Sequence, residues 1–288
     1  MPSPYNPYNL PNSFPPQHQA FQPGIEAIMC PKPISETPLK NPINNKKLLN
    51  KVALITGGDS GIGRATAYAF AKEGADIAIV YLNEHIDAQE TKNKIELIGR
   101  KCIIMPIDIS IEENSKLIIN EVTKHFGKLD ILVNNAGVIY PTNNLEDVSS
   151  AQLEYTFRVN VFSYFYLTKE ALPYLNAGSS IINTSSIAAF KPYPIAPDYQ
   201  ASKGAITAFT KAMALILMPR GIRVNSVAPG EVWTPLIPSA FDPYAVSTWG
   251  QSSPIGRAAQ PFEMAQAFVF LASDDSSYMS GQTLNMYN

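Results

Sequence analysis

At 288 residues and 45% apolar composition, the chain has ample material for a substantial core and is expected to be globular. A formal net charge of −2, a pI near 6.0 and no basic cluster denser than Asn45-Lys46-Lys47 leave no electrostatic footprint for nucleic acid, which is excluded as a partner. Two cysteines (Cys30, Cys102) and three histidines (His18, His85, His125) make neither a disulfide framework nor a metal-ligand spacing, so no metal site is expected.

The apolar stretches 77–82 and 212–218 fall short of the roughly 20 residues that a bilayer crossing needs, so no membrane partner is expected. The N-terminus has Pro and Asn where a secretory signal would have a basic start and an apolar core, which points to a cytoplasmic protein.

In chain order, residues 1–48 come first. They hold 11 of the 24 prolines and show no period of 2 or 3.6, which predicts a Pro-rich extended arm. Its aromatic residues Tyr5, Tyr8, Phe14 and Phe21 give it something to bury, against its own body or a neighbouring subunit.

From residue 49 to 288 the texture changes. β-Branched runs at 52–56, 76–81, 102–107, 130–133, 180–185, 222–228 and 282–287 alternate with helical patterns at 61–73, 85–99, 111–126, 150–176, 199–218 and 261–273. Strict alternation, with strands apolar on both faces, predicts a seven-stranded parallel sheet covered by helices on both sides. The fold class is α/β, a single doubly wound domain of the Rossmann type. Ser149, followed three residues later by Gln152, reads as a capping box ahead of the apolar positions Leu153, Phe157, Val161 and Tyr164. Residues 235–258, rich in Pro, Ser and aromatics, interrupt the alternation and are expected to form a substrate-binding lid.

The segment TGGDSGIG (56–63) ends the first strand and opens the first helix. Its glycines allow a tight turn and a close approach of backbone to a pyrophosphate, and the helix N-terminus supplies N–H groups to the anion. Gly57, Asp59, Ser60, Gly61, Ile62 and Gly63 are therefore candidate cofactor contacts. At the end of the second strand, where an acid would hold the ribose of NAD and an arginine the phosphate of NADP, stand Tyr81, Asn83 and Glu84. Glu84 would repel a 2′-phosphate, so between NAD and NADP the residues lean to NAD. Arg64 is the alternative partner for a phosphate.

DYQASK (198–203) sets Tyr199 and Lys203 one helical turn apart on a shared face. An ammonium there favours phenolate and is expected to lower the phenol's pKa towards working pH, as a general acid/base requires. The spacing alone is near chance in a chain with 14 tyrosines. A hydroxyl from TSS (184–186) at the end of the fifth strand could polarise the same substrate oxygen. Asn160 interrupts an apolar helical stripe and must find partners.

TGGDSGIG (56–63), NNAG (134–137), Asn160, Ser186, YQASK (199–203) and PGEVWT (229–234) together resemble the short-chain dehydrogenase/reductase family, over residues 51 to about 285. PPQHQAFQPGIEAIM (15–29) and APGEVWTPLIPS (228–239) look like its glucose/ribitol dehydrogenase homologue branch. The resemblance implies catalytic roles for Asn160, Ser186, Tyr199 and Lys203, with Asn160 holding a water that relays protons to Lys203. It also implies cofactor contacts from Asp108, Ile109, Asn135, Ala136 and Gly137 around the adenine, and from Pro229, Gly230, Val232 and Thr234 at the nicotinamide end. The implied activity is hydride transfer between a nicotinamide cofactor and a small-molecule secondary alcohol or ketone, with polyols and sugars included. The implied assembly is a homotetramer built on the helices at 150–176 and 199–218. A second reading is a dinucleotide-sensing binding protein with little catalysis. Two features depart from the family: the chain ends NMYN in place of a Gly-rich tail, and Glu231 stands where Pro or an apolar residue is usual. Lys191 to Pro194 and the lid are expected to line the substrate pocket, with Phe190, Tyr193, Trp233 and Trp249 making it partly apolar.

Overall fold

A computed structural model describes residues 6–38 and 46–287; the expectations that fall on 1–5, 39–45 and 288, Tyr5 and Asn45 among them, lie outside the described residues. The β-branched runs become β1 (Val52–Thr56), β2 (Asp76–Tyr81), β3 (Cys102–Pro106), β4 (Ile131–Asn134), β5 (Ser180–Thr184), β6 (Arg223–Pro229) and β7 (Thr283–Met286). They form one sheet in the order β3-β2-β1-β4-β5-β6-β7, and every pairing is parallel. The order reverses direction between β1 and β4, which opens a crevice at their C-terminal ends.

Alternation along β1 divides the core in two. Ala53 and Ile55 pack with Phe70 and Phe268 on one face, from α1 (Gly61–Lys72) and α9 (Pro261–Ala272). Val52 and Leu54 pack with Ile118, Leu167 and Leu217 on the other, from α3 (Glu112–Phe126), α5 (Ser163–Ala171) and α6 (Pro197–Leu217). A strand buried on both faces reads as a continuous apolar run, which is what VALIT is. α2 (His85–Leu97) completes the helices around β2 and β3.

The helix predicted over 150–176 is interrupted. It runs as α4 (Ser150–Phe157), a π-helical turn at Arg158–Phe162 and then α5. The wide turn carries Asn160, whose amide bonds the Val138 backbone after β4; a partner outside the helix draws the turn open. Ser149 does cap α4 by accepting from the Gln152 amide at 3.1 Å, but the Gln152 side chain donates to Tyr140 O and Asp198 instead of closing the box.

The expectation that no stretch is long enough for a bilayer needs correcting. Among the described residues, Pro197–Arg220 is one helical stretch of 24 residues with mean hydropathy 1.2, enough by length and composition. It lies on the sheet with Ile206, Thr210, Ala214 and Leu217 buried; four charged residues, Asp198, Lys203, Lys211 and Arg220, interrupt or bound its apolar runs in the sequence.

Residues 6–38 are extended, apart from one turn of 3₁₀ helix at Glu26–Ile28, and lie along the same body. Phe14 stacks on Trp233 with ring centroids 3.8 Å apart, and Tyr8 meets Phe262 edge-on. Phe21 is exposed. Residues 235–258 form α7 (Leu236–Ala240), α8 (Pro243–Ser247) and a series of turns.

Candidate active site

The crevice at the strand ends is a cleft of about 980 Å³. One end is built by the loop from β1 into α1. Gly57 takes a left-handed φ of +61° against Ala136, and a β-carbon on Gly63 would collide with the Gly57 carbonyl. Gly63 is thus a packing residue and does not line the cleft, whereas Gly57, Asp59, Ser60, Gly61 and Ile62 do. Asn135 ties the loop to the sheet: its side chain donates to Thr56 O at 3.0 Å, and its backbone N–H to Thr56 Oγ1 at 2.9 Å.

The Gly61 N–H was expected to face a phosphate, but it donates to Glu26 Oε2 at 2.7 Å. This leaves the later N–H groups of the first turn, from Ile62 on, for an anion. Arg64 is likewise unavailable to a 2′-phosphate. It is 3% exposed and is held by Glu26 at 2.7 Å, Asp59 O at 2.8 Å and Asp87 O at 2.9 Å. Burial pushes Glu26 up to about 6, with Arg64 and the Gly61 N–H pulling against it.

Beside the glycine loop, where the sequence placed the adenosine, stand two buried carboxyls, Asp59 and Glu84. Burial, and next the Glu84 charge, push Asp59 up to about 7; Glu84 is raised mainly by burial. Tyr81, Asp108 and Ile109 also line this end. Asn83 does not, because its side chain turns out to solvent. Glu84 comes inward in its place, accepting from the Asn83 N–H at 3.2 Å.

At the far end, the segment after β5 supplies Ser186, and α6 supplies Tyr199 and Lys203. Ser185 is turned into α6, bonding Lys203 O at 3.1 Å and Thr207, so of the two serines Ser186 is the one on the phenol side. α6 starts at Pro197 after Ala196, which holds a left-handed φ of +51°. Asp198 does not cap the helix; it accepts from Thr156 at 2.8 Å and Gln152 at 3.2 Å, pinning α6 to α4.

Tyr199 is 9% exposed. Its pKa departs from expectation: burial raises it above the usual phenol range, and only the hydrogen bond from Ser186 lowers it. The Lys203 ammonium lies 5.6 Å from the ring centroid and donates to Thr184 O at 2.9 Å. It therefore addresses the ring and a carbonyl, not the phenol oxygen. Burial itself drives Lys203 down to about 8.

Asn160 lies behind the cleft wall, fully buried. Its Oδ1 accepts from Val138 N at 2.8 Å, and its Nδ2 donates to Val138 O at 2.9 Å and Ser202 Oγ at 3.1 Å. Ala136 and Gly137, Pro229 at the end of β6, and Gly230, Val232 and Thr234 beyond it complete the predicted lining.

The wall beyond Tyr199 includes Ile139, Tyr193, Leu236, Phe241 and Trp249, together with the charged groups Lys191 and Glu231. Burial raises Glu231 above the usual carboxyl range, and Lys191 opposes this. Two expected pocket aromatics stand elsewhere. Trp233 is fully buried against Phe14, and Phe190 is 43% exposed outside the cleft. Sequence reasoning missed Pro23 and Gly24 of the arm as lining residues. A Pro-rich stretch without period carries no signal for where it docks.

Curated relatives and solved structures resemble this chain over most of its length. A family model described as "Enoyl-(Acyl carrier protein) reductase" matches residues 57–286. The uncharacterised oxidoreductase YhdF of Bacillus subtilis is 52% identical over 94% of this chain and 93% of its own. A structure of a short-chain dehydrogenase from Burkholderia cenocepacia in complex with NADP superposes with a TM-score of 0.79 at 32% identity, over 84% of this chain and 98% of that one. This chain belongs to the short-chain dehydrogenase/reductase family. It is a nicotinamide-dependent oxidoreductase with the Rossmann-type fold. The glucose and ribitol dehydrogenase of Daucus carota is 47% identical over 94% of this chain and 95% of its own, which sets the chain in that branch of the family. The NADPH-dependent aldehyde reductase 1 of Arabidopsis thaliana is 46% identical over 93% and 95%. The names of these relatives give the lean to NAD no support, and NADP is the cofactor they print.

Proposed function

We propose that the enzyme interconverts a secondary alcohol and its ketone, with Tyr199 carrying the proton. The observation behind this reading is that Tyr199, Ser186 and Lys203 converge at one end of a cleft whose other end is a glycine-built anion loop. The loop, the buried acids at the adenosine end and the cradle around Gly57 suit a dinucleotide in size and chemistry. A bound nicotinamide supplies or accepts the hydride at the carbinol carbon. In reduction, the Tyr199 phenol gives its proton to the nascent alkoxide; in oxidation it takes the hydroxyl proton. Ser186 donates a hydrogen bond to the same oxygen. Lys203 holds a positive charge beside the ring, bonded to Thr184 O, where it can meet a bound group. Asn160 positions Val138 and the α6 side chain Ser202, and with Lys203 next to it near Gly137 it suits the water relay that the family implies.

For the adenosine end, the reading favours NAD. Two buried carboxyls and an occupied Arg64 suit a free 2′-hydroxyl better than a phosphate, although the relatives' names point the other way. Titration of NADH and NADPH by protein fluorescence discriminates. Tighter NADH binding is expected, relaxed by Asp59→Asn with Glu84→Gln; tighter NADPH binding would overturn the preference.

For the substrate, Lys191, Glu231, Ser252 and Ser253 among the apolar side chains of the wall suit a molecule with further hydroxyls, such as a polyol or sugar, beneath the lid 235–258. Turnover against a panel of secondary alcohols and ketones, followed by nicotinamide absorbance, tests the class. Cofactor binding with no turnover on any of them would favour the dinucleotide-sensing alternative. A homotetramer in the cytoplasm completes the reading. Its support is the row of exposed apolar side chains Leu153, Phe162 and Phe165 beside α6.

A further inference from the structure

Residues 22–26 of the arm cross the mouth of the cleft from one lip to the other. At the Tyr199 end, the Gln22 amide grips the backbone of Ile139 twice, donating to its carbonyl at 2.6 Å and accepting from its N–H at 3.2 Å. Ile139 packs in the same apolar cluster as Tyr199. At the phosphate-loop end, Glu26 accepts from Gly61 N and Arg64, while its own N–H donates to Asp87 at 2.6 Å. Between these anchors, Pro23 and Gly24 form part of the cleft wall. Gly24 lies so close to the lid that a β-carbon there would collide with the Pro235 carbonyl.

Both flanks of the crossing are fastened as well. Upstream, Gln19 N donates to Pro238 O at 2.7 Å on the lid. Downstream, Trp233 Nε1 donates to Pro31 O at 3.0 Å, and Ile34 exchanges bonds with Gln260 and Phe262 at the start of α9.

A molecule long enough to reach from Asp59 and Glu84 to Tyr199 must pass beside this crossing. We propose that Gln22–Glu26 is part of the dinucleotide site, a strap of this chain's own arm that holds the cofactor in place and sets its rate of release. The inference rests on the dinucleotide reading above. The Gln22–Ile139 pair is the weak anchor, with two hydrogen bonds at a partly buried position, whereas Glu26 is buried in an ionic network. Opening therefore starts at the Tyr199 end. Coupling is reciprocal: if the strap slows departure of the cofactor by strengthening its binding, the cofactor protects the strap from opening to the same degree.

The full-length protein tests this in two ways. Hydrogen exchange at residues 20–28 is measured with and without saturating NADH, and NADH release is timed by stopped-flow fluorescence for wild type, Gln22→Ala and Gly24→Val. NADH is expected to slow exchange in the strap, and both variants to release it about tenfold faster, the scale of one or two lost hydrogen bonds. Melting temperatures without cofactor check that the variants are folded. Equal release rates in all three proteins, or strap exchange indifferent to NADH, would overturn the strap. A lowered melting temperature with unchanged release would assign the arm a structural role only. Failure of the wild type to bind NADH or NADPH at all would overturn the dinucleotide reading and the strap with it.

Discussion

The Tyr199 phenol is raised by burial and lowered by Ser186 alone, so in the proposed reaction the serine has two tasks, bonding the substrate oxygen and tuning the acid. Alcohol oxidation needs the phenolate, so its kcat/KM should climb with pH. In Ser186→Ala the climb should move to higher pH, because the one group lowering the phenol's pKa is gone. A pH profile for both proteins checks this; an unmoved limb would confine Ser186 to the substrate. Burial drives the Lys203 ammonium down to about 8, so the positive charge it holds beside the ring weakens above that value unless a bound group restores it. The sequence placed Tyr199 and Lys203 on one helix face by period alone, but it could not say which way the ammonium points. That direction is decided by Thr184 O, a backbone atom that leaves no trace in residue identities. Ser185 and Ser186 were ambiguous for a similar reason, since only the partners on α6 reveal which hydroxyl is already engaged.

Among elements, what could be read from the sequence followed burial. The central strands announced themselves because parallel strands covered on both faces must be largely apolar, whereas the edge strands β3 and β7 are only partly buried and were read from their place in the alternation. The π turn in 158–162 did not, because Asn160 looks like a flaw in a stripe until its bonds to Val138 are seen. The arm was recognisable as extended and aromatic-bearing, yet its course was not, since its anchors are single side chains such as Gln22 and Glu26 meeting distant backbone. Arg64 shows the cost of that gap. Read as an alternative partner for a phosphate, it is the buried hub joining arm, phosphate loop and α2. Replacing it by Met should leave Glu26 and Asp87 as unpaired buried acids and destabilise the fold by about 3–5 kcal/mol, measured by denaturant unfolding. The loss should shrink at acid pH. Glu26 is raised to about 6, so its protonated form carries a stabilising contribution that is full below its ordinary value and lost as pH rises through 6. A deficit constant with pH would show that Arg64 matters through packing.

At the scale of the whole molecule, the long helix α6 presents one face to the sheet and another to the outside. Outward lie Ala201, Ala208, Leu215 and Ile216, and Phe165 of α5 lies 4.2 Å from Phe209 by ring centroids. Small and apolar residues in that pattern let helices approach closely across a two-fold axis. Light scattering at micromolar concentration should give four times the chain mass of 31.5 kDa, and Phe165→Asp should shift the population to smaller species. A monomeric wild type would refute the assembly.

Catalysis by Tyr199 is met most directly in a single turnover of enzyme loaded with cofactor deuterated at the reactive nicotinamide carbon. Label should appear on the carbinol carbon of the product. In Tyr199→Phe the rate should fall roughly 100- to 10,000-fold, while cofactor affinity stays as in the wild type. Label transfer at equal rates in the two proteins would contradict the proton-transfer role.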